Sequence, residues 1–354
     1  MSVAELTPGL IEPLAEVEFG PAVAALPKAD IHLHSEAGPR LEQVVAEWSG
    51  APVTNWRAHA RELMRNLPPG MPRLETWGPD LPLPRATVDE LDRPPGNFKA
   101  RVAHILVEAA TDGAVLVEVL FGASTILRED FLDLFGEALE EVRERFPHLH
   151  AVPLVAAKTT EEWAASLLPR CVAGARRGLA GINILPLTYD RPADWSIVYG
   201  WAERARDAGL GITAHAGEFG TLHLAEALDV PGLTRIGHAV GAGSAPRLLD
   251  RIAERGVTVE CPLSCNVVLG AVESYGAHPI RRFMERGIPV AICTDDPLKA
   301  CTSIGREYAI ASELGLSGSE LRACTHAAIA ASFCGDQARG RLLRLLPDSA
   351  TMDP

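Results

Sequence analysis

Residues 235–260 read RIGHAVGAGSAPRLLDRIAERGVTVE, and the fold is decided by how this stretch is parsed. Arg235–Ala239 is a short apolar run ending beside a histidine. Pro246–Arg255 is amphipathic at helical spacing, Gly256 stops it, and Val257–Glu260 is apolar again. Buried parallel strands read as continuous apolar runs rather than as alternation. Glycine just past a helix supplies the left-handed residue that closes its C-terminus. The stretch is therefore one strand–helix–strand unit.

The same unit recurs on both sides. Strands are expected at Ala29–His32, Ala114–Phe121, His150–Ala156, Gly181–Leu185, Gly211–Ala214 and Pro289–Cys293, giving eight in all. Helices are expected at Lys99–Asp112, Arg128–Arg145, Thr160–Arg177, Ala193–Ala208, Leu222–Leu228 and Pro279–Arg286. Gly113, Gly178, Gly209 and Gly287 end helices as Gly256 does. A strand–helix unit repeated to eight strands predicts a single α/β domain over residues 1–354, a parallel (β/α)8 TIM barrel. A doubly wound sheet is the alternative, but no G-x-G-x-x-G follows an early strand.

Two regions break the rhythm. Residues 1–27 are expected to pack outside the barrel bottom. Residues 41–96 form a long excursion after the first strand. Its first part reads as helical. Leu67–Gly96 carries eight prolines and is not expected to form regular helix. An excursion at the C-terminal end of a barrel strand lies over the mouth, so it is expected to act as a lid or pocket wall.

The 354 residues are 47% hydrophobic and 22% charged, with a formal net charge of −13. Such a chain can bury a large core, and its acidic surface repels nucleic-acid phosphates and anionic membranes. Seven scattered cysteines, odd in number and without a C-x-x-C pair, argue against a disulfide framework and predict a reducing, cytoplasmic setting. No signal-like N-terminus and no membrane-length apolar run is visible. The expected partner is a small molecule held in a pocket, with oligomeric state left open.

Chemistry-bearing residues gather at predicted strand ends. His32-Leu33-His34 closes the first strand, and residues two apart on a strand share a face. His215 follows the fifth strand, His238 lies in the sixth, and Asp295-Asp296 follow the eighth. Catalytic groups in barrels come from these C-terminal ends, and a catalytic zinc site needs nitrogen and oxygen ligands with one open position. Glu218, three residues past His215, is placed to act as a general acid beside the metal.

The ordered motifs Pro27-Lys28-Ala29-Asp30-Ile31-His32-Leu33-His34, Ala214-His215-Ala216-Gly217-Glu218, Arg235-Ile236-Gly237-His238-Ala239, Glu260-Cys261-Pro262-Leu263-Ser264 and Thr294-Asp295-Asp296-Pro297 resemble those of the adenosine and adenine deaminase family. The resemblance runs from about residue 27 to 345. It implies one zinc ion per chain on His32, His34, His215 and Asp295, and an activated water that displaces ammonia from a purine. It also implies that Glu218 protonates the ring nitrogen and that His238 orients and helps deprotonate the water. Asp295 would act in catalysis as well as ligation, and His34, Glu36 and Asp296 would face the substrate.

Some positions depart from the family pattern. Glu36 stands where a ribose-contacting aspartate is usual, and Pro186 where a glycine offers its N–H. Leu120 replaces an arginine, and Cys261–Asn266 is one residue longer than usual. The expected function is deamination of an adenosine-like nucleoside. Free adenine or another amino-heterocycle stays open, as does a metal-dependent hydrolase acting on an amide, lactone or phosphoester, or a catalytically dead barrel. His104, His148, His150, His278 and His326 receive no role.

Overall fold

The computed structural model describes residues 20–38, 62, 64–80, 92–186, 189 and 191–347. Eight strands run in sequence order around one sheet: β1 (Lys28–His34), β2 (Ala114–Phe121), β3 (His150–Lys158), β4 (Gly181–Leu185), β5 (Gly211–Ala216), β6 (Leu233–His238), β7 (Thr258–Cys261) and β8 (Val290–Ile292). Every neighbouring pair is parallel, with Ala214 opposite Ile236 and Ile236 opposite Val259. The predicted (β/α)8 barrel is the observed fold.

The seam between β8 and β1 is closed just beyond β8. Leu33 bridges Asp295, whose N–H donates to the His32 carbonyl at 2.8 Å and whose carbonyl accepts from His34 N–H at 2.8 Å. The Thr294 hydroxyl donates to Asp30 at 2.5 Å. The last parallel contact of the barrel is thus made by the backbone of a predicted metal ligand.

Helices cover the strands because their apolar faces need burial. Phe98, Phe121 and Phe131 pack with ring centroids 4.9–6.0 Å apart, joining Pro95–Thr111 and Phe131–Arg145 to β2. Each fully buried phenylalanine contributes about 2–3 kcal/mol. Ala29, Ile31, Ala291 and Cys293 pack with Ala328 and Ile329 of the helix Gly318–Ala331. Phe333 lies against the starts of β4 and β5. A Cβ at Gly211 would come within 2.1 Å of its ring and one at Gly181 within 2.5 Å, so only glycine admits it. Gly113 and Gly209 take φ of +90° and +88° at helix ends, as their positions in the sequence predict.

Two expectations change. Thr160–Arg177 is not one helix but Glu161–Ser166 followed by Leu168–Ala175. Pro169 has no N–H and its ring crowds the preceding turn, so it can only begin a new helix. Conversely, part of the proline-rich tract is helical, at Met71–Asp80. Pro72 sits in the first turn, where its missing N–H is not needed, and the next proline, Pro79, comes only at the end. Residues 1–19, 39–61, 63 and 81–91 lie outside the described residues, and with them the expected packing of the N-terminus and the helical first part of the excursion. All seven cysteines are buried and none forms a disulfide. Among the described residues no helix is long and apolar enough to cross a membrane.

Glu307 is buried on the helix Ile304–Glu313, accepting from Ser264 N–H at 3.1 Å and from the Thr302 hydroxyl at 2.5 Å. Burial outweighs these bonds and pushes its pKa up from 4.5 to about 7. The folded protein therefore holds a proton that the unfolded chain releases, and stability is lost as pH rises through that window. Glu307→Gln keeps a neutral group of the same shape. Relative to the parent, it should gain on the order of 2–3 kcal/mol in urea titrations between about pH 5 and about pH 8. A constant difference across that range would refute the account.

Candidate active site

Alternation along β1 sends His32 and His34 the same way, into the C-terminal mouth. His215 from β5 meets both. Its Nε2 lies 3.0 Å from His32 Nε2 and 3.3 Å from His34 Nε2. Asp295 Oδ1 lies 3.1 Å from His34 Nε2 and 3.5 Å from His32 Nε2. All four predicted ligands therefore converge. His32, His215 and Asp295 are buried, while His34 is partly exposed on the mouth side.

This donor set fits a divalent ion. Ligands about 2.0–2.1 Å from a tetrahedral metal stand about 3.3 Å from one another, close to the separations seen here. The far side of each buried ring supports the same conclusion. His32 Nδ1 is 2.6 Å from Glu260 Oε2, and His215 Nδ1 is 2.8 Å from Asn183 Oδ1. Carboxylate and amide oxygens only accept, so each Nδ1 carries the hydrogen and each Nε2 turns a lone pair inward. Buried lone pairs at 3.0 Å repel unless positive charge lies between them. Burial opposes a charged imidazole, but the Asp295 and Glu260 carboxylates outweigh it and raise His32 to about 10. The pocket thus selects for a cation.

Glu260 is held in turn. Its Oε1 accepts from Thr213 at 3.0 Å and pairs with Arg235 Nε at 2.8 Å; Arg235 also reaches Glu118 at 2.7 Å and covers the Phe333 ring at 3.8 Å. Burial would raise the Glu260 carboxyl, yet Arg235 and the His32 and Thr213 bonds hold it below the ordinary glutamate range. It stays an anion able to polarise His32.

Glu218 follows β5 and is buried, with Oε1 unpartnered and Oε2 3.8 Å from His238 Nε2. Burial, with the Asp295 charge next, holds its carboxyl well above the usual range, so it keeps its proton. His238 ends β6, with Nε2 3.9 Å from Asp295 Oδ2 and the Asn266 amide 2.8 Å from Nδ1. His238 and Asp295 adopt φ of +68° and +62°, left-handed values that cost energy for non-glycine residues. Their backbones turn back at the strand ends and aim both side chains at one point. Asp296 groups with His34 and Asp295 as a further candidate ligand cluster, its carboxylate 3.6 Å from Lys299. Glu36 lies in the turn Ser35–Ala37 that leaves β1, beside the mouth and accepting from the Ser35 hydroxyl at 3.1 Å.

The sequence reading gave no role to Asn183, Thr213, Arg235, Glu260 or Asn266. A signal was present for Asn183, the one polar side chain in the apolar strand Gly181–Leu185, since buried amides need partners. Tyr189 was also missed. Its ring stands 6.1 Å from Phe219, and burial, with the Glu218 and Asp295 charges, raises its phenol well above 10.

A family model described as adenosine deaminase matches residues 95–348. An adenine deaminase of Rhizobium leguminosarum bv. trifolii is 43% identical over 159 residues, covering 44% of this chain and 48% of that protein. The chain spans about half the length of the curated relatives it matches. The crystal structure of adenine deaminase from Arthrobacter aurescens superposes with a TM-score of 0.74 at 22% identity, over 90% of this chain and 98% of that one. An amidohydrolase from Burkholderia ambifaria with bound zinc superposes at 0.70 and 21% identity, over 94% of each. At these identities the superpositions establish the shared fold.

Asn183 touches no ligand position itself, so Asn183→Ala probes the support of His215 alone. Metal affinity should fall about 10–100-fold, the usual effect of losing an outer partner of a ligating histidine. Chelator competition measures this, and an unchanged affinity would remove Asn183 from the site.

Proposed function

This chain belongs to the adenosine deaminase family, and from that membership we propose that it is a zinc-dependent hydrolytic deaminase of an amino-purine. One observation carries the reading: a buried, protonated Glu218 stands beside a convergent His32, His34, His215 and Asp295 donor set. The ligands suit zinc in type and spacing, and zinc is bound in the Burkholderia relative of the same fold. Held there, the ion would supply Lewis acidity that brings the ionisation of water near neutral pH.

The chain's own residues divide the remaining work. Glu218 gives its proton to the ring nitrogen next to the amine-bearing carbon, drawing electrons away from that carbon. Water adds there, the C–N bond breaks, and ammonia leaves with the purine oxygen in place of the amine. His238 holds the attacking oxygen, and Asp295 and Asp296 line the side from which it approaches. Burial of Glu218 and His238 keeps bulk water from the developing charge.

Within this class we favour free adenine over its riboside. Relatives 43% and 44% identical over 159 and 145 residues are named adenine deaminases. Glu36 also has a side chain one methylene longer than the aspartate that commonly contacts ribose. The described part of the 41–96 excursion serves as a pocket wall. Met64 packs with Cys265, Leu269, Ala300 and Cys301 beyond β7 and β8, and Arg73 donates to the Val268 carbonyl at 2.7 Å. The described residues then work as one barrel domain, with Met64 and Arg73 of the excursion packed beside its mouth.

A screen of amino-purines, their nucleosides and amino-pterins for ammonia release tests the class, and no release from any amino-purine would end it. Glu218→Gln should retain zinc and lose about 100- to 10,000-fold in kcat. A variant as fast as the parent would strip Glu218 of the acid role. Glu36→Asp should shift the kcat/KM ratio from adenine toward adenosine. An unmoved ratio would show that Glu36 does not read the ribose.

A further inference from the structure

What His238 can do at the site depends on which ring nitrogen carries hydrogen. Its Nε2 faces Glu218 and Asp295 at 3.8 and 3.9 Å and has no hydrogen-bond partner of its own. Behind it runs a buried line of contacts. The Asn266 amide lies 2.8 Å from His238 Nδ1 and, at its other end, 3.0 Å from His278 Nε2. His278 Nδ1 accepts from the Ile280 N–H at 3.1 Å. His238, Asn266 and His278 are 1%, 0% and 5% exposed, so this line is sealed from solvent.

The end of the line sets its direction. Ile280 opens the helix Ile280–Glu285, where a backbone N–H has no helical acceptor. That N–H can only donate, so His278 Nδ1 is bare and the ring's hydrogen sits on Nε2. His278 Nε2–H then needs an acceptor. As placed, Asn266 turns Oδ1 toward His238 and Nδ2 toward His278, so two donors oppose each other at 3.0 Å. Such a mismatch leaves a buried donor without an acceptor, which folded proteins avoid. A half-turn about Cβ–Cγ exchanges the amide's two ends without moving any other atom. The oxygen then accepts from His278, and the NH2 donates to His238 Nδ1. A ring that accepts at Nδ1 keeps its hydrogen on Nε2.

We propose that His278 is a positioning residue that acts through Asn266 to hold His238 as the Nε2–H tautomer, making it a hydrogen-bond donor to the attacking oxygen rather than a base. The proposal deepens the deaminase reading and rests on it for the identity of that oxygen. Burial keeps His278 neutral, with a pKa lowered to about 3, so the relay keeps its direction near neutral pH. Taking a proton from water then falls to a carboxylate of the site. The expectation that His238 helps deprotonate the water gives way to an orienting role alone.

The test uses the zinc-loaded full chain labelled with 15N-histidine, in which long-range proton–nitrogen correlations show which ring nitrogen is protonated. In the parent, His238 should be bare at Nδ1 and protonated at Nε2. Asn266→Asp accepts on both sides and should move the hydrogen to Nδ1, with kcat falling about 100-fold and KM nearly unchanged. His278→Leu should leave His238 in a mixture of tautomers. His278→Gln, which can accept at one end and donate at the other, should restore the Nε2–H form. A parent His238 protonated at Nδ1, or a His238 spectrum that neither Asn266→Asp nor His278→Leu alters, would overturn the relay. Ammonia release is scored separately: a parent inert toward every amino-purine defeats the deaminase reading, whereas a failed relay leaves deamination standing.

Discussion

Three imidazole nitrogens and one carboxylate oxygen held within 3.0–3.5 Å of their neighbours are the constraint on which the rest of this structure depends. Lone pairs in a buried site do not gather spontaneously, since each has lost water and repels the next. The fold brings them together and keeps them there from behind. Glu260 and Asn183 fix the outer nitrogens of His32 and His215, and Arg235 and Thr213 fix Glu260. What remains at the centre is a fixed demand for positive charge.

That demand is answered partly through strain. The barrel seam is closed at Asp295, whose backbone bonds to both His32 and His34 while its φ is left-handed. His238 pays a similar conformational cost at the end of β6. Residues held in sparsely populated backbone conformations persist only where surrounding structure over-determines them, and such positions cluster at functional sites. Here the same hydrogen bonds that complete the cylinder also aim the donors, so barrel closure and the candidate metal site share a residue, Asp295.

Protons are placed by the same logic. Glu218 keeps its proton because burial and a neighbouring negative charge leave no room for its anion. Glu260, equally buried, loses its own because Arg235 and His32 are against it. Two glutamates, Glu218 just past β5 and Glu260 within β7, thus take opposite forms, one an acid and the other a support, through their surroundings alone.

The sequence by itself determined the barrel and the eight strand positions to within a few residues, and it marked His32, His34, His215, His238, Asp295 and Asp296 at strand ends, from which the family resemblance implied the four donors. Strand runs, helix-ending glycines and strand-end histidines are local patterns, and local patterns are what a sequence displays. It misjudged Met71–Asp80 and Thr160–Arg177, where the position of one proline within a turn outweighed the general bias of the segment. Only the tertiary structure decided which groups stand behind the ligands. Glu260 is 228 residues from His32 and Asn183 is 32 from His215, and nothing in a strand's own pattern names its partner across a barrel. Nor could the sequence reveal that His278 faces Asn266, because hydrogen-bond direction follows from a chain of contacts that exists only once β6, the helix Leu263–Leu269 and the start of the helix Ile280–Glu285 are packed together.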